Sequence, residues 1–258
     1  MSSPGYGDLW APVYDDVFAK VPVEPVVARL AELAAGGPVL EFAIGTGRIA
    51  LPLARRGLAV SGLDNSPEML ARLSDKPGAD ALTVELGDMT SHRIDGDFTL
   101  VFAVFNSLYL LDSQDAQLAT FRNAAAHLRP GGRFVVEGFL PDPAQFTGGQ
   151  AVQFVTEGDG HTWLVLSTHE PLVQAVTTTN IRLTAGSPIP APAGAAMHAA
   201  VVEAAPTRVL STRSRYVWPS ELDLMASVTG FVLEDRTQDW YGTQFEGTGS
   251  HVSVYRRS

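Results

Sequence analysis

The chain of 258 residues contains no cysteine. Without thiols it cannot form disulfides, thiolate-ligated zinc sites or iron–sulfur clusters, and it cannot use a cysteine nucleophile. We predict no metal site of any other kind. These absences remove disulfide scaffolds, thiolate metal centres and thiol chemistry from the functions to consider.

Basic residues are few and form no run. The 18 lysines and arginines stand against 28 aspartates and glutamates, which gives a formal net charge of −10. Nucleic acids and anionic membrane surfaces bind positively charged patches. We therefore expect neither of them as a partner.

Long apolar runs are also missing. No run approaches the length of a membrane span, and residues 1–8 lack the basic and apolar regions of a signal peptide. We therefore expect a cytoplasmic protein. The sequence leaves a monomer and a homodimer open as oligomeric states.

What the chain does contain is enough apolar material for a substantial core, with 45% hydrophobic residues. From about residue 38 to 140, strand-like runs alternate with helical patterns, which predicts a parallel sheet with crossover helices. Several runs are almost continuously apolar, as in strands covered on both faces. The predicted core strands are 38–42, 58–63, 82–86, 99–104 and 133–137, followed later by 231–235 and 251–255.

The alternation stops beyond residue 140. Half-exposed runs there predict an antiparallel sheet inserted into the core. These runs are 153–157, 162–168, 173–183 and 208–213, with a Pro/Ala-rich loop at 187–196. We therefore divide the chain into an N-terminal helical lid (1–35), an α/β core (36–140 and 219–258) and a small β insertion (141–218) that caps the active site and binds the substrate.

Three aromatic residues in the predicted lid, Tyr6, Trp10 and Tyr14, are spaced four apart. On one helix they would share a face. Such a stripe serves either packing or the covering of a ligand, and the spacing does not choose between the two.

Residues 38–48 join an apolar strand to a glycine-rich turn that opens a helix. Such a turn lets a ligand approach the backbone closely and offers unpaired N–H groups at the start of the helix. The segment Gly45–Ala50 fits the dinucleotide pattern G-x-G-x-x-G/A, and Asp64 follows about 20 residues on, as that pattern requires. The turn alone therefore leaves the kind of nucleotide-like cofactor open.

Acidic residues stand at three successive strand ends, Glu41, Asp64 and Asp88. The carboxyl ends of adjacent parallel strands line one crevice. Three carboxylates there suit a ligand with an amine, a ribose diol and an exocyclic adenine amine. They suit a pyrophosphate poorly, because a pyrophosphate requires donors and positive charge.

Taken together, these segments resemble the class I S-adenosylmethionine-dependent methyltransferases. The similar segments are 39–48 (first motif), 61–70 (ribose-binding motif), 87–89 (adenine site), 102–107 (after the fourth strand) and 128–137 (the turn into the fifth strand). The resemblance covers residues 36–140 and the C-terminal part of the core. It implies a seven-stranded, mostly parallel Rossmann-like sheet with helices on both faces, and S-adenosyl-L-methionine as cofactor.

The resemblance also implies roles for individual residues at the cofactor. Glu41 would orient the methionine amino group, Asp64 would bind the ribose hydroxyls and Asp88 the adenine amine. Ala43 stands where the family has its first glycine, and its methyl group is compatible with a negative φ. The other cofactor contacts expected are Tyr14, Gly45, Gly47, Asn65, Met69, Met89 and Phe105.

Candidates for the chemistry and for the substrate lie outside these motifs. His169, at the end of an antiparallel strand, is our candidate base, with a surface histidine as the alternative. Glu137, at the end of a central strand, is a general base or cation holder unless it pairs with Arg213 or Arg215. The residues expected to bind the substrate are Tyr6, Trp10, Asn106, Trp218, Trp240 and Tyr241.

The function that the resemblance implies is in-line methyl transfer from S-adenosylmethionine to a small molecule in specialised metabolism. The expected acceptor is an amine, an amino sugar or an indole-type ring carbon. Two alternatives from other classes remain at this point, an NAD(P)-dependent oxidoreductase and a catalytically inactive S-adenosylmethionine-binding protein.

Overall fold

A computed structural model of the chain describes residues 5–156, 162–183 and 209–258. The chain divides into two compact units, Met1–Asp142 with Ser214–Ser258, and Pro143–Arg213. The Pro/Ala-rich loop predicted at 187–196 lies outside the described residues. Within the described ranges, no helix is long and apolar enough to cross a membrane.

The described residues form helices and strands that we number in chain order. The α-helices are α1 (Tyr6–Trp10), α2 (Tyr14–Phe18), α3 (Glu24–Ala34), α4 (Ala50–Arg55), α5 (Pro67–Ser74), α6 (Gln114–His127) and α7 (Pro219–Val228). The strands are β1 (Val39–Phe42), β2 (Val60–Asp64), β3 (Thr83–Leu86), β4 (Phe98–Ala103), β5 (Leu128–Phe139), β6 (Gln150–Thr156), β7 (Thr162–Glu170), β8 (Ala175–Leu183), β9 (Val209–Arg215), β10 (Phe231–Thr237) and β11 (Ser250–Arg257).

The larger unit is built on a seven-stranded sheet in the order β10-β11-β5-β4-β1-β2-β3. The pairs among β1 to β5 are parallel, whereas β11 runs antiparallel to both β5 and β10. The predicted Rossmann-like, mostly parallel sheet is therefore confirmed. Strand order reverses between β1 and β4, which is where open α/β sheets bind their ligands.

Burial explains why the central strands were recognisable in the sequence. Every residue of β1 and β4 is buried, because helices cover both faces of the sheet. On one of these faces, Val27 and Leu30 of α3 and Leu53 of α4 have no exposed surface. Ser66 caps the start of α5, since its hydroxyl accepts a hydrogen bond from the Met69 N–H at 3.2 Å.

The N-terminal segment is helical, but it is not one continuous helix. Tyr6 and Trp10 lie on α1, whereas Tyr14 begins α2 after a turn at residues 11–13. Pro12 lies in that turn and has no N–H to continue a helix. The expectation that all three aromatic residues share one helix face is therefore wrong.

The strand preceded by the Pro130–Gly132 turn also differs from expectation. β5 pairs with β4 from its first residue, Leu128, which lies beside Phe98. After a register shift, the pairing continues with Arg133 beside Leu100. Gly131 takes a φ of 78° within the interruption. The predicted turn is thus an irregularity inside β5 rather than a separate loop.

The smaller unit contains a four-stranded sheet in the order β6-β7-β8-β9. Its strands follow one another along the chain, and β7 is antiparallel to both β6 and β8. The predicted antiparallel insertion is therefore confirmed as a separate sheet. His169 pairs with Val176 near the end of β7.

A chain of hydrogen bonds crosses the buried C-terminal side of the larger unit. Arg236 Nε donates to Ser253 Oγ at 2.8 Å, and Ser253 Oγ lies 3.0 Å from His251 Nδ1. His251 Nε2 lies 3.1 Å from the Tyr109 hydroxyl, which donates to the Val217 carbonyl at 3.1 Å. Because the Tyr109 hydroxyl donates to Val217, Nε2 of His251 has to carry a proton, and in the neutral ring Nδ1 accepts from the Ser253 hydroxyl. Burial, and then the charge of Arg236, lowers the pKa of His251 from 6.5 to about 4.

We expect His251 to make the protein sensitive to acid. Because the folded state holds the neutral ring, the unfolded chain binds one more proton between pH 6.5 and about 4. The free energy of unfolding should fall as the pH drops through this window, by up to about 3 kcal/mol from this group. Denaturant unfolding of the wild type and of His251→Gln across the window measures the difference. Equal pH dependence in both proteins would contradict the prediction.

Candidate active site

The glycine turn follows β1 and is held in an unusual backbone conformation. Gly45 and Gly47 have φ values of 56° and 79°, in the left-handed region that glycine adopts readily. A Cβ on Gly47 would lie 2.4 Å from Leu73 Cδ1. Ala43 also has a positive φ, 57°, so the negative φ under which its methyl group would be tolerated without strain is not adopted. The turn therefore has no room for a side chain at position 47, and it holds Ala43 in a strained backbone conformation.

The Asp64 side chain accepts hydrogen bonds from backbone N–H groups of the glycine turn and of the start of α5. One carboxylate oxygen accepts from the Gly45 N–H at 2.8 Å, and the other accepts from the Ser66 N–H at 2.9 Å. The side chain is buried, and burial raises the pKa of Asp64. Asp64 thus joins the turn after β1 to the start of α5. Its predicted contact with ribose hydroxyls would have to use the remaining lone pairs of the same oxygens.

Three buried polar atoms on two charged side chains at the turn have no hydrogen-bond partner among the described residues. Glu41 Oε2 is one, and Nε and Nη1 of Arg48 are the others. Burial raises the pKa of Glu41 well above its ordinary value, and the Arg48 charge partly opposes that shift. The Arg48 guanidinium lies over the ring of Phe105, 4.1 Å from its centroid. Buried polar groups in native structures are nearly always paired, so these groups indicate a ligand with complementary charges.

Arg48 is a site residue that the sequence reasoning missed. It follows the glycine turn directly, and it is a lone cation among the apolar residues at the start of α4. A charged side chain in such a segment was a signal that could have been used, because charges are rarely buried without a purpose.

Side chains of α1 and α2, in the predicted lid, hydrogen-bond to the glycine turn and to the start of α5. Asp8 accepts from the Ser66 hydroxyl at 2.7 Å, and Asp15 accepts from the Thr46 hydroxyl at 2.6 Å. Lys76 pairs with Asp15 at 2.7 Å and donates to the Thr46 carbonyl at 2.8 Å. These contacts, which the sequence did not reveal, hold α1 and α2 against the glycine turn and α5.

A row of aromatic ring contacts connects α1 and α2 to Phe105, just after the end of β4. The Tyr6 and Trp10 rings stack at 5.7 Å, and Trp10 and Tyr14 lie 5.7 and 4.7 Å from Phe18. The rings of Phe18 and Phe105 lie nearly perpendicular to each other in a T-shaped contact, with their centroids 5.0 Å apart. Burial raises the pKa of both Tyr6 and Tyr14, so their hydroxyls remain protonated at neutral pH. The structure thus brings the predicted lid aromatics together with Phe105.

Residues after β4 form a turn that Glu137 supports. Phe105 and Asn106 have φ values of 56° and 63°. Glu137 accepts from the Phe105 N–H at 2.6 Å and from Trp240 Nε1 at 2.9 Å. The two arginines considered as partners of Glu137 are paired elsewhere. Arg213 lies 3.5 Å from Glu170, and Arg215 lies 2.8 Å from Glu221.

The predicted adenine and ribose residues lie along the ends of β2 and β3. Asp88 is exposed, and its carboxylate accepts from the Thr90 N–H at 2.8 Å. Met89 and Met69 are buried, whereas Asn65 is exposed. The adenine contact of Asp88 stays a prediction, because the observed bond alone is that of an ordinary turn.

The remaining predicted residues are spread more widely. Trp218 is 37% exposed and packs at 5.4 Å against Tyr216, and Tyr241 is 77% exposed. His169 belongs to the smaller unit, where its ring lies 4.8 Å from that of Phe146. The roles of these residues in substrate binding and catalysis stay predictions.

The sheet order, the glycine turn and the acids at the strand ends define an α/β protein that binds a nucleotide-like cofactor at the carboxyl end of β1. Comparison with known proteins gives the particular family. A methyltransferase domain model matches residues 39–132. The solved structure of the CcbJ methyltransferase from Streptomyces caelestis is 34% identical over the full length of both chains, with a TM-score of 0.83. The chain belongs to the class I S-adenosylmethionine-dependent methyltransferases, and its cofactor is S-adenosyl-L-methionine.

Two curated relatives match just under half of the chain. The cypemycin N-terminal methyltransferase of a Streptomyces species is 34% identical over 45% of this chain and 47% of that protein. The dTDP-3-amino-3,4,6-trideoxy-alpha-D-glucopyranose N,N-dimethyltransferase of Streptomyces venezuelae is 31% identical over 48% of this chain and 51% of that protein. The chain thus spans about half the length of the curated relatives that it matches.

The cofactor fits the unpartnered groups at the turn. The amino-acid end of S-adenosylmethionine carries an ammonium and a carboxylate, which complement Glu41 Oε2 and the free N–H groups of Arg48. The open space beside Gly45, where the nearest atom to an added Cβ is 4.0 Å away, admits a ligand against the backbone. Family membership also removes the NAD(P)-dependent oxidoreductase considered from the sequence.

We expect Glu41→Gln and Arg48→Met to weaken binding of S-adenosylhomocysteine by about tenfold to a hundredfold each, the usual loss of a hydrogen bond to a charged group. Methionine keeps the length of the Arg48 side chain over Phe105. Calorimetry with 5′-methylthioadenosine, which lacks the amino-acid end, is the matched control and should give unchanged affinities. Equal losses for both ligands would show that these residues do not hold the amino-acid end.

Proposed function

We propose that the protein transfers a methyl group from S-adenosylmethionine to the nitrogen of a small-molecule amine, such as an amino sugar, in specialised metabolism. The observation that supports S-adenosylmethionine as the methyl donor is the set of unpartnered buried atoms at the turn, Glu41 Oε2 and Nε and Nη1 of Arg48. Of the two curated relatives described above, one is named as an N,N-dimethyltransferase and the other as an N-terminal methyltransferase. The first of these names favours nitrogen over the indole-type ring carbon that the sequence left open.

The bound cofactor supplies an electrophilic methyl group on a sulfonium. The protein's own task is to align the acceptor nitrogen with that group and to exclude water. Glu41 and Arg48 would fix the amino-acid end of the donor, and the glycine turn would admit it against the backbone. The lid aromatics and Phe105 would cover the reacting end.

The acceptor amine has to be neutral to act as a nucleophile, because an ammonium has no lone pair. An amine that arrives as an ammonium must therefore lose one proton before it attacks the methyl group. His169 is our candidate for receiving it, and we propose residues 141–218 as the part of the chain that binds the acceptor. Residues 1–35 are proposed as the lid and residues 36–140 with 219–258 as the cofactor-binding core.

Cofactor binding and turnover test this proposal separately. We expect S-adenosylhomocysteine to raise the unfolding temperature and NAD to leave it unchanged. With S-adenosylmethionine and a panel of primary and secondary amines, at least one amino sugar should gain a methyl group as S-adenosylhomocysteine accumulates. Binding without consumption of the methyl donor by any amine would instead support the catalytically inactive cofactor-binding protein.

For His169, we expect His169→Gln to lower kcat by about a hundredfold or more, the usual contribution of a general base, with unchanged affinity for S-adenosylhomocysteine. Thr168→Ala is the matched control, because successive residues of a strand point to opposite faces. Full activity of the His169 variant would remove it as a base. Equal losses in both variants would indicate damage to the sheet instead.

A further inference from the structure

Glu137 holds together two parts of the larger unit that are distant in sequence. Its carboxylate accepts from the Phe105 N–H and from Trp240 Nε1, which lie 32 and 103 residues away along the chain. We infer that Glu137 is a positioning residue that fixes the turn carrying Phe105, and that it is not the base of the reaction. This inference rests on the proposed function, in which Phe105 covers the reacting end of the cofactor.

Strand register explains why Glu137 can reach both donors. Ala103 at the end of β4 pairs with Val136 of β5, so Glu137 lies level with the first residue after β4. On its other side, Glu137 pairs with Val252 of β11. Trp240 belongs to the connection from β10 to β11, which ends beside that strand. The carboxylate therefore lies between the connection that follows β4 and the connection from β10 to β11, at the same end of the sheet.

The turn needs such support because its backbone is unfavourable. Phe105 and Asn106 are consecutive residues with positive φ, and neither is glycine. Left-handed conformations of this kind persist only where surrounding contacts enforce them. The bond from Phe105 N–H to the Glu137 carboxylate, at 2.6 Å, is short and charge-assisted, and it fixes the first of the two residues.

The donors around Glu137 conflict with a role in taking up a proton. Both facing groups are N–H donors, and an ionised carboxylate offers each of them an acceptor oxygen. A protonated carboxyl would place an O–H beside one of these N–H groups. Uptake of the substrate's proton would therefore weaken the contacts that hold the turn.

The position of Phe105 matters because its ring contacts two other parts of the site. Arg48 lies over the ring at 4.1 Å, and Phe18 of the lid meets it at 5.0 Å. A shift of the turn would move the surface on which the Arg48 guanidinium rests. Glu137 thus acts on cofactor binding through Phe105 and Arg48.

A double-variant comparison tests this inference. In Glu137→Gln, the amide offers one acceptor oxygen and one NH2 group to two N–H donors, so one donor faces another donor. Trp240→Phe removes one of these donors, and in the combined variant the single amide oxygen can accept from Phe105 N–H. We measure the affinity for S-adenosylhomocysteine of the wild type, both single variants and the combined variant, at a temperature where all are folded.

We expect Glu137→Gln to bind S-adenosylhomocysteine about tenfold more weakly than the wild type, and the combined variant to match Trp240→Phe within about threefold. Unchanged affinity in Glu137→Gln would overturn the inference. A combined variant as weak as Glu137→Gln would overturn it too, because the negative charge would then matter rather than the number of acceptors. If Glu137→Gln does not fold, the comparison of Trp240→Phe with the combined variant decides alone.

Hydrogen exchange separates this inference from the proposed function. The Phe105 amide should exchange at least about tenfold faster in Glu137→Gln than in the wild type, with or without cofactor, and should regain protection in the combined variant. A wild type that fails to bind S-adenosylhomocysteine would contradict the proposed function. An equally protected Phe105 amide in wild type and Glu137→Gln would contradict the positioning role.

Discussion

The arrangement of the loops after β1 and β2 depends on one buried carboxylate. Asp64 accepts the N–H of Gly45 with one oxygen and the N–H of Ser66 with the other, so that the ends of β1 and β2 are tied to a single side chain. Burying a charge is costly unless hydrogen bonds compensate it, and here the compensating donors are the loops themselves. The glycine turn, the start of α5 and the lid attached to both therefore have a common anchor.

Charge is distributed unevenly around this anchor. Asp64 is satisfied by backbone donors, whereas Glu41 and Arg48, on either side of the same turn, retain unpartnered atoms among the described residues. A folded protein without its ligand bears a cost for such groups, and the cost is recovered when a ligand of opposite charges binds. The site thus combines a fixed frame with two side chains that we propose for the amino-acid end of the cofactor.

Much of the fold was predictable because each strand carries its own local pattern. The seven core strands stand close to the apolar runs recognised in the sequence, and the Ser66–Pro67 start of α5 follows standard capping chemistry. Contacts between distant segments were not predictable. Asp15 bonds to Thr46 across 31 residues and Trp240 to Glu137 across 103, and no local pattern encodes such pairs. The positive φ of Ala43 was also hidden, because alanine normally avoids that region.

The attachment of the lid has a kinetic consequence. If residues 1–35 cover the bound cofactor as proposed, the bonds of Asp8 to Ser66 and of Asp15 to Thr46 have to break before spent cofactor is exchanged for fresh. Two short helices with few buried residues can detach without unfolding the sheet. Under that proposal, the free energy of this local opening contributes to how long the spent cofactor resides, and slow release would limit turnover even when methyl transfer is fast.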